Sequence, residues 1–337
     1  MKKLSLANLP TRIGKLERLS QELGCSIYIK RDDQTGSEWS GNKIRKLEFS
    51  VQEALQQGAD LLITTGGIQS NHCRATVAVA THYGMKSAVL LRISEQPPVE
   101  GNYFLDLLMG ADVKFCTREE YSTSRNEIMA AMAEEYRSRG YHPYIIPEGA
   151  SNGVGTLGYY NAFHEILDQE RELGIRFDTI VLATGSGGTA AGLNLANILG
   201  GHGRRIVAMA VCDDVKYFQD HCHRISIEAL PYLVEQGEIS QSEADRCAAA
   251  LKPEDFEIND GYVGIGYAQS RPEELEHIKH IARLEGVVLD PVYTGKASYG
   301  LWNELREGGS LRGAGNILFI HTGGLYGLFP VSKSFIF

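Results

Sequence analysis

The chain has 337 residues, 43% of them hydrophobic, with a net charge of -9 at neutral pH and a pI near 5.6. That length can bury a large core and suits about two domains. The acidic balance, with no basic stripe interleaved with aromatics, excludes nucleic acid as a general partner. No window approaches the run of roughly 18 apolar residues that spans a membrane, and the stretch Met1 to Pro10 lacks the apolar core and cleavage site of a secretory signal. The expectation is a cytoplasmic protein. Cys25, Cys73, Cys116, Cys212, Cys222 and Cys247 are scattered, which points to reduced thiols. His221-Cys222-His223, with Cys212 nearby, lacks paired ligand spacings, so no metal site is expected and the segment reads as a solvated helix face.

In chain order, Ser26 to Lys30 reads as a strand running into the polar Arg31-Asp32-Asp33. A loop from Gln34 to Gly41 then opens a helix whose Ile44, Leu47, Val51 and Leu55 form one apolar stripe up to Gly58. Asn42 is its expected N-cap, which leaves Lys43 in the first turn. Strand and helix patterns alternate from there. Strands are expected at 60–64, 86–91, 112–116 and 144–147, with helices near 70–83, 103–109 and 118–139. Such a series implies parallel strands joined by crossover helices. The second half brings a long helix near 154–173, a strand at 178–183, another at 205–211, polar helices over 213–251 and a last strand at 316–320. Ser270-Arg271-Pro272-Glu273 reads as a capping box before a helix that stops at Glu285-Gly286.

Three constellations carry chemistry. The first is Thr184-Gly185-Ser186-Gly187-Gly188-Thr189, a Gly/Ser/Thr loop between a strand and a helix. Its backbone N–H groups and the helix dipole suit a phosphate, yet it has neither the Walker lysine nor the GxGxxG order. The second is Gly66-Gly67-Ile68-Gln69-Ser70-Asn71-His72, a helix mouth whose polar side chains suit a carboxylate or hydroxyl. The third joins Gly266-Tyr267 to Asp290-Pro291-Val292-Tyr293-Thr294-Gly295-Lys296, where two phenols on turns could move protons. On the residues alone, Lys43 and Lys296 both stand as candidates for a lysine that forms a covalent bond to a cofactor.

Gly41-Asn42-Lys43-x-Arg45-Lys46-Leu47-Glu48, Ile68-Gln69-Ser70-Asn71-His72, Asp290 to Lys296 and His321-Thr322-Gly323-Gly324 together resemble the D-cysteine desulfhydrase and aminocyclopropane-carboxylate deaminase family, in order and over nearly the whole chain. The resemblance implies an α/β protein of the tryptophan-synthase-β-like fold (fold type II), with two α/β domains and mostly parallel sheets. Residues 1–45 and 153–337 would form a large domain holding pyridoxal phosphate, and 46–152 a small one. It further implies a homodimer acting on a small amino acid.

By the same resemblance Lys43 looks like the Schiff-base lysine, ahead of Lys296. Asn71 is similar to the residue beside the pyridoxal hydroxyl, and Gly185, Ser186, Gly187, Gly188 and Thr189 match the phosphate loop. Ser70, Asn71 and His72 match the substrate side, and Tyr267 and Tyr293 two active-site tyrosines. The deaminase branch typically carries Glu, Leu and Gln where this chain has Thr294, Thr322 and His72, so all three positions point to the desulfhydrase branch. Thr294 would offer the pyridine nitrogen only a neutral hydrogen bond. Two stretches depart from the pattern: Ser40 stands where glycine is frequent, and Ala268 to Arg271 replaces Gly-x-Pro-Asn.

The expected reaction is α,β-elimination, with Lys43 taking the α-proton, Tyr267 or Tyr293 as proton donor, and pyruvate, ammonia and sulfide as the products from D-cysteine. Rivals on the same fold are cysteate sulfo-lyase, D-serine or 3-chloro-alanine elimination, and aminocyclopropane-carboxylate deamination. A rival of another class is a non-catalytic phosphate-binding protein.

Overall fold

A computed structural model describes residues 1–306 and 308–337. Among these residues ten strands order themselves into two sheets: β1 (Ile13–Lys15), β2 (Ser26–Lys30), β3 (Leu61–Gly67), β4 (Lys86–Arg92), β5 (Asp112–Cys116), β6 (Pro143–Ile145), β7 (Thr179–Thr184), β8 (Arg205–Ala210), β9 (Glu257–Asn259) and β10 (Asn316–Ile320). The larger runs β1-β2-β10-β7-β8-β9 and the smaller β5-β4-β3-β6. Every pairing is parallel except the antiparallel β1 against β2.

The helices are α1 (Glu17–Leu23), α2 (Lys43–Gln56), α3 (Asn71–His82), α4 (Gly101–Leu108), α5 (Arg118–Ser138), α6 (Gly153–Leu173), α7 (Gly188–Leu199), α8 (Val215–Glu235), α9 (Gln241–Ala250), α10 (Pro272–Glu285), α11 (Thr294–Glu304) and α12 (Leu325–Leu328). Both sheets are covered on both faces, and alternate strand residues show it. Ile180 and Leu182 pack with Phe163, Leu193 and Phe218 of α6 to α8, whereas Val181 and Ala183 pack with Ile278, Ile281 and Leu301 of α10 and α11. In the smaller sheet Leu62 meets Leu47 and Val51 of α2, while Leu61 and Ile63 meet Met129 and Met132 of α5.

Several expectations are corrected. α10 is capped by Arg271 rather than Ser270, with Glu274 returning to the Arg271 N–H, because Pro272 occupies the first helical position. Asn42 is the N-cap residue of α2 by position, yet its side chain makes no cap bond. Residues from Thr294 onward form α11 rather than a turn, and β1, β9 and α1 are elements the periodicity did not reveal. Cys222 is fully buried and its thiol faces the Gly187 carbonyl at 3.5 Å, so His221 to His223 is no solvated face.

Helix α2 holds the most informative departure from a simple stripe. Ile44, Leu47 and Val51 are buried as the pattern requires, but so are Arg45, Lys46 and Glu48. Arg45 is answered by acids distant in sequence: its guanidinium donates to Asp32 at 2.9 Å and to Glu165 at 2.9 and 3.0 Å. Lys30 bonds the same Glu165 at 2.6 Å, giving two cations and two carboxylates. Burial would raise the Asp32 carboxyl, but Arg45 and Lys30 overcome that and hold it at about 2. The network pins α2, and with it Lys43, against α6.

Candidate active site

The carboxyl ends of the parallel strands in both sheets converge on one cleft of about 420 Å³, lined among others by Lys43, Ser70, Asn71, His72, Gly185, Ser186, Gly187, Thr189, Tyr267, Tyr293 and Thr322. Ligands of open parallel sheets bind at that end. Gly188 and Thr294 fall just outside the lining.

Lys43 is set by the turn before it. Gly41 has φ of +106°, and a Cβ there would lie 2.9 Å from the Thr322 carbonyl oxygen, so both conformation and space demand glycine. The Asn42 N–H donates to that same oxygen at 3.0 Å. The Asn42 side chain, instead of capping α2, donates from Nδ2 to Thr189 Oγ1 at 3.0 Å and accepts from Lys43 Nζ at 3.2 Å, tying the lysine to the glycine loop. Burial lowers the Lys43 amine to about 8 against the opposing pull of Glu148 and Asp290. Ser40 is held by Arg74 of α3, which donates to its Oγ at 3.1 Å and its carbonyl at 2.7 Å while lying over the Tyr326 ring at 4.8 Å.

Helix α7 opens directly on the glycine loop: its N-cap Gly187 has no side chain to offer, and the Ser151 hydroxyl accepts from the Gly188 N–H at 3.1 Å. Beside it lies Lys46, 1% exposed, whose Nζ donates only to the Gly149 carbonyl at 3.1 Å and Ser151 Oγ at 3.2 Å. No carboxylate among the described residues bridges it. Burial, then the neighbouring Lys43, pushes its pKa well down. A Cβ on Gly188 would come within 2.8 Å of that amine, so the glycine admits the lysine to the loop. A buried amine that meets no carboxylate among the described residues, set beside a helix N-terminus, suits a phosphate dianion, and the loop therefore fits the phosphate of pyridoxal phosphate.

At the mouth of α3, Ser70 Oγ caps the helix by accepting from the Cys73 N–H at 3.1 Å. Asn71 Oδ1 accepts from Asn102 Nδ2 at 3.0 Å, which turns the Asn71 amide hydrogens toward the cleft. His72 is buried, its Nε2 2.7 Å from Thr64 Oγ1, and burial followed by Lys43 lowers its pKa well below that of a free imidazole. It stays neutral.

Opposite these, the Tyr267 and Tyr293 hydroxyls are hydrogen-bonded at 2.6 Å, and Lys43 Nζ lies 5.9 Å from the Tyr293 ring centre. Burial raises both phenols, so both are protonated at neutral pH. Thr294 donates its hydroxyl to Asp290 Oδ1 at 2.7 Å and accepts from the Asp290 N–H at 2.9 Å, which commits it to the turn. Lys296 points away, donating to the Val263 and Gly266 carbonyls at 2.6 and 2.7 Å, and so holds the Tyr267 loop.

Sequence reasoning gave no role to Arg92, Tyr121, Arg125, Glu148, Cys212 and Tyr217, all of which line the cleft. For Lys46 a signal existed, three residues past Lys43 on the same helix, and for Arg92 the end of a predicted strand.

A family pattern described as pyridoxal-phosphate dependent enzyme matches residues 4–323. The bifunctional mitochondrial D-cysteine desulfhydrase/1-aminocyclopropane-1-carboxylate deaminase of Arabidopsis thaliana is 43% identical, over 96% of this chain and 79% of its own. A putative 1-aminocyclopropane-1-carboxylate deaminase of Thermotoga maritima is 39% identical, over 99% of this chain and all of its own. The D-cysteine desulfhydrase of Yersinia enterocolitica is 39% identical over 97% of this chain and 95% of its own. Among solved structures, an ACC deaminase homologue superposes with a TM-score of 0.84 at 36% identity, covering 98% of this chain and 94% of that one. The lysine turn and phosphate-fitted loop on two mostly parallel sheets are those of a fold type II enzyme. The chain belongs to the pyridoxal-phosphate dependent enzymes, among the relatives that carry the D-cysteine desulfhydrase and aminocyclopropane-carboxylate deaminase names. Among the described residues no helix is long and apolar enough to cross a membrane.

Proposed function

We propose that the protein is a lyase that converts D-cysteine and water to pyruvate, ammonium and hydrogen sulfide by α,β-elimination. One observation carries this reading: a buried amine lowered to about 8, Lys43, faces a pair of protonated phenols 2.6 Å apart, a base opposite an acid. Bound in the cleft, pyridoxal phosphate supplies the electron sink for charge developing at the α-carbon. Lys43 would carry it, the loop from Gly185 to Thr189 with Lys46 would hold its phosphate, and Asn71 and Thr322 would contact its ring.

Around it the chain's own groups divide the work. Lys43, unprotonated above about 8, takes the α-proton. The N-terminus of α3, with the Ser70 hydroxyl and the oriented Asn71 amide, binds the substrate carboxylate. Tyr267 donates its proton to the departing sulfur and is reprotonated by Tyr293 along their bond. Neutral His72 adds a hydrogen-bonding wall without a charge. Thr294, Thr322 and His72, in place of the deaminase branch's Glu, Leu and Gln, favour desulfhydration over ring opening.

The same reading takes the two sheets as two domains, 46–152 and the remainder, with substrate entering between them, in a cytoplasmic homodimer. Exposed Phe104 and Leu108 on α4, with Leu325 on the adjoining α12 and Phe329 just after it, support the dimer, which sedimentation tests. The catalytic reading is tested with Lys43→Ala, which is expected to lose both the near-visible absorbance of lysine-bound cofactor and pyruvate release. Retention of both would remove Lys43 from the mechanism.

A further inference from the structure

We infer that Arg92, Arg125 and Tyr121 form an anion subsite in the cleft, which selects amino acids whose side chain carries, or leaves as, an anion; this rests on the elimination reading above. The aromatic rings give the order of groups away from the lysine. Lys43 lies 5.9 Å from the Tyr293 ring, and Tyr293 bonds Tyr267. The Arg92 guanidinium lies 5.2 Å from the Tyr267 ring and 4.8 Å from that of Tyr121, and Arg125 lies 5.2 Å from Tyr121. The row ends at α5, where Ser122, exposed to solvent, also lines the cleft.

Neither guanidinium is neutralised. Among the described residues neither has a carboxylate within 4.0 Å, although Glu148 and Asp213 line the same cleft. Among the described residues Arg92 makes no side-chain hydrogen bond, and Arg125 donates only to the Tyr121 carbonyl at 3.2 Å. Two like charges gathered on one ring repel each other unless an anion lies between them. The Tyr121 hydroxyl is a second sign, since its ring is 3% exposed and its oxygen is buried with no hydrogen-bond partner within 3.5 Å, Glu148 being the acidic group beside it. A buried donor without a close partner costs stability, and a ligand oxygen within reach would relieve it. Guanidiniums and a phenol together match the oxygens of a sulfonate or the sulfur of a thiolate.

The consequence for the reaction is a charge balance. When Lys43 takes the α-proton, the carbon–sulfur bond breaks with its electron pair going to sulfur. Arg92, next to Tyr267, stabilises the hydrosulfide anion before any proton reaches it. A side chain with a fixed negative charge gains the same contacts already on binding.

The test compares holoenzyme binding of cysteate and of alanine, each in both enantiomers, by calorimetry. Cysteate is expected to bind at least roughly tenfold tighter than alanine, and Arg92→Gln or Arg125→Gln to reduce that ratio by roughly tenfold each. Arg125→Lys, which keeps the charge, retains most of the preference and shows that the site is folded. Equal binding of the two ligands, or an unchanged ratio in both glutamine variants, overturns the subsite. Failure of the elimination reading would look different: no pyruvate from any amino acid, with the binding preference intact.

Discussion

Replacing Lys46 by methionine separates two effects with opposite signs. In the protein without cofactor the amine is 1% exposed, bonded to one carbonyl and one hydroxyl and bridged to no acid among the described residues. Its folded pKa lies well below 10.5, so folding disfavours its proton. That penalty is fully present below the folded pKa and vanishes as pH rises above 10.5. Methionine has similar length and no charge, and removal of the penalty should raise the melting temperature of the cofactor-free protein by a few degrees, given ~2–4 °C per kcal/mol in large domains. Cofactor binding should move the other way. A charged hydrogen bond to phosphate contributes about 1.5–3 kcal/mol, so Lys46→Met should weaken pyridoxal phosphate roughly 10- to 150-fold. The assay is fluorescence titration of cofactor-free protein, alongside thermal melts of the same samples. Unchanged cofactor affinity would refute the assignment of Lys46 to the phosphate, whatever the melting temperature does.

Lys43 in the cofactor-free protein should capture pyridoxal phosphate with a rate that rises through a midpoint of about 8; a midpoint near the ordinary 10.5 would contradict its burial. Gly41→Ala forces a Cβ to within 2.9 Å of the Thr322 carbonyl at φ of +106°, a strain of about 1–3 kcal/mol, and kcat should fall because the turn aims Lys43. An unchanged kcat would show that the turn relaxes without cost. Arg45→Met strands the fully buried Asp32 and should destabilise by about 3–5 kcal/mol, lowering the melting temperature on the order of 10 °C. In the parent protein the depressed Asp32 pKa contributes stability that is present above 3.8 and lost as pH falls toward about 2, and acid melts of the variant should lack that step.

Much of the site was legible because glycines punctuate it. The loops at Gly66, Gly185 and Gly323 follow strands that declare themselves by β-rich runs, so the strand order from 60 to 116 and the last strand needed no tertiary knowledge. The charges of α2 were the reverse case. Periodicity assigns Arg45 and Lys46 to solvent, and their burial follows from Asp32, Glu165 and the α7 terminus, 13, 120 and more than 140 residues away. Ser40 likewise acquires its meaning only when α3 brings Arg74 to it. Thr294, expected from the sequence to offer a hydrogen bond to the pyridine nitrogen, has its hydroxyl engaged by Asp290 four residues earlier, a partner that no motif spacing announces.

The most direct measurement is a product assay of the purified holoenzyme with D-cysteine and with aminocyclopropane-carboxylate in parallel. Pyruvate and sulfide in equal amounts from D-cysteine, with no 2-oxobutyrate from the cyclopropane, is the predicted result. Release of 2-oxobutyrate with no sulfide from D-cysteine would contradict the proposed function.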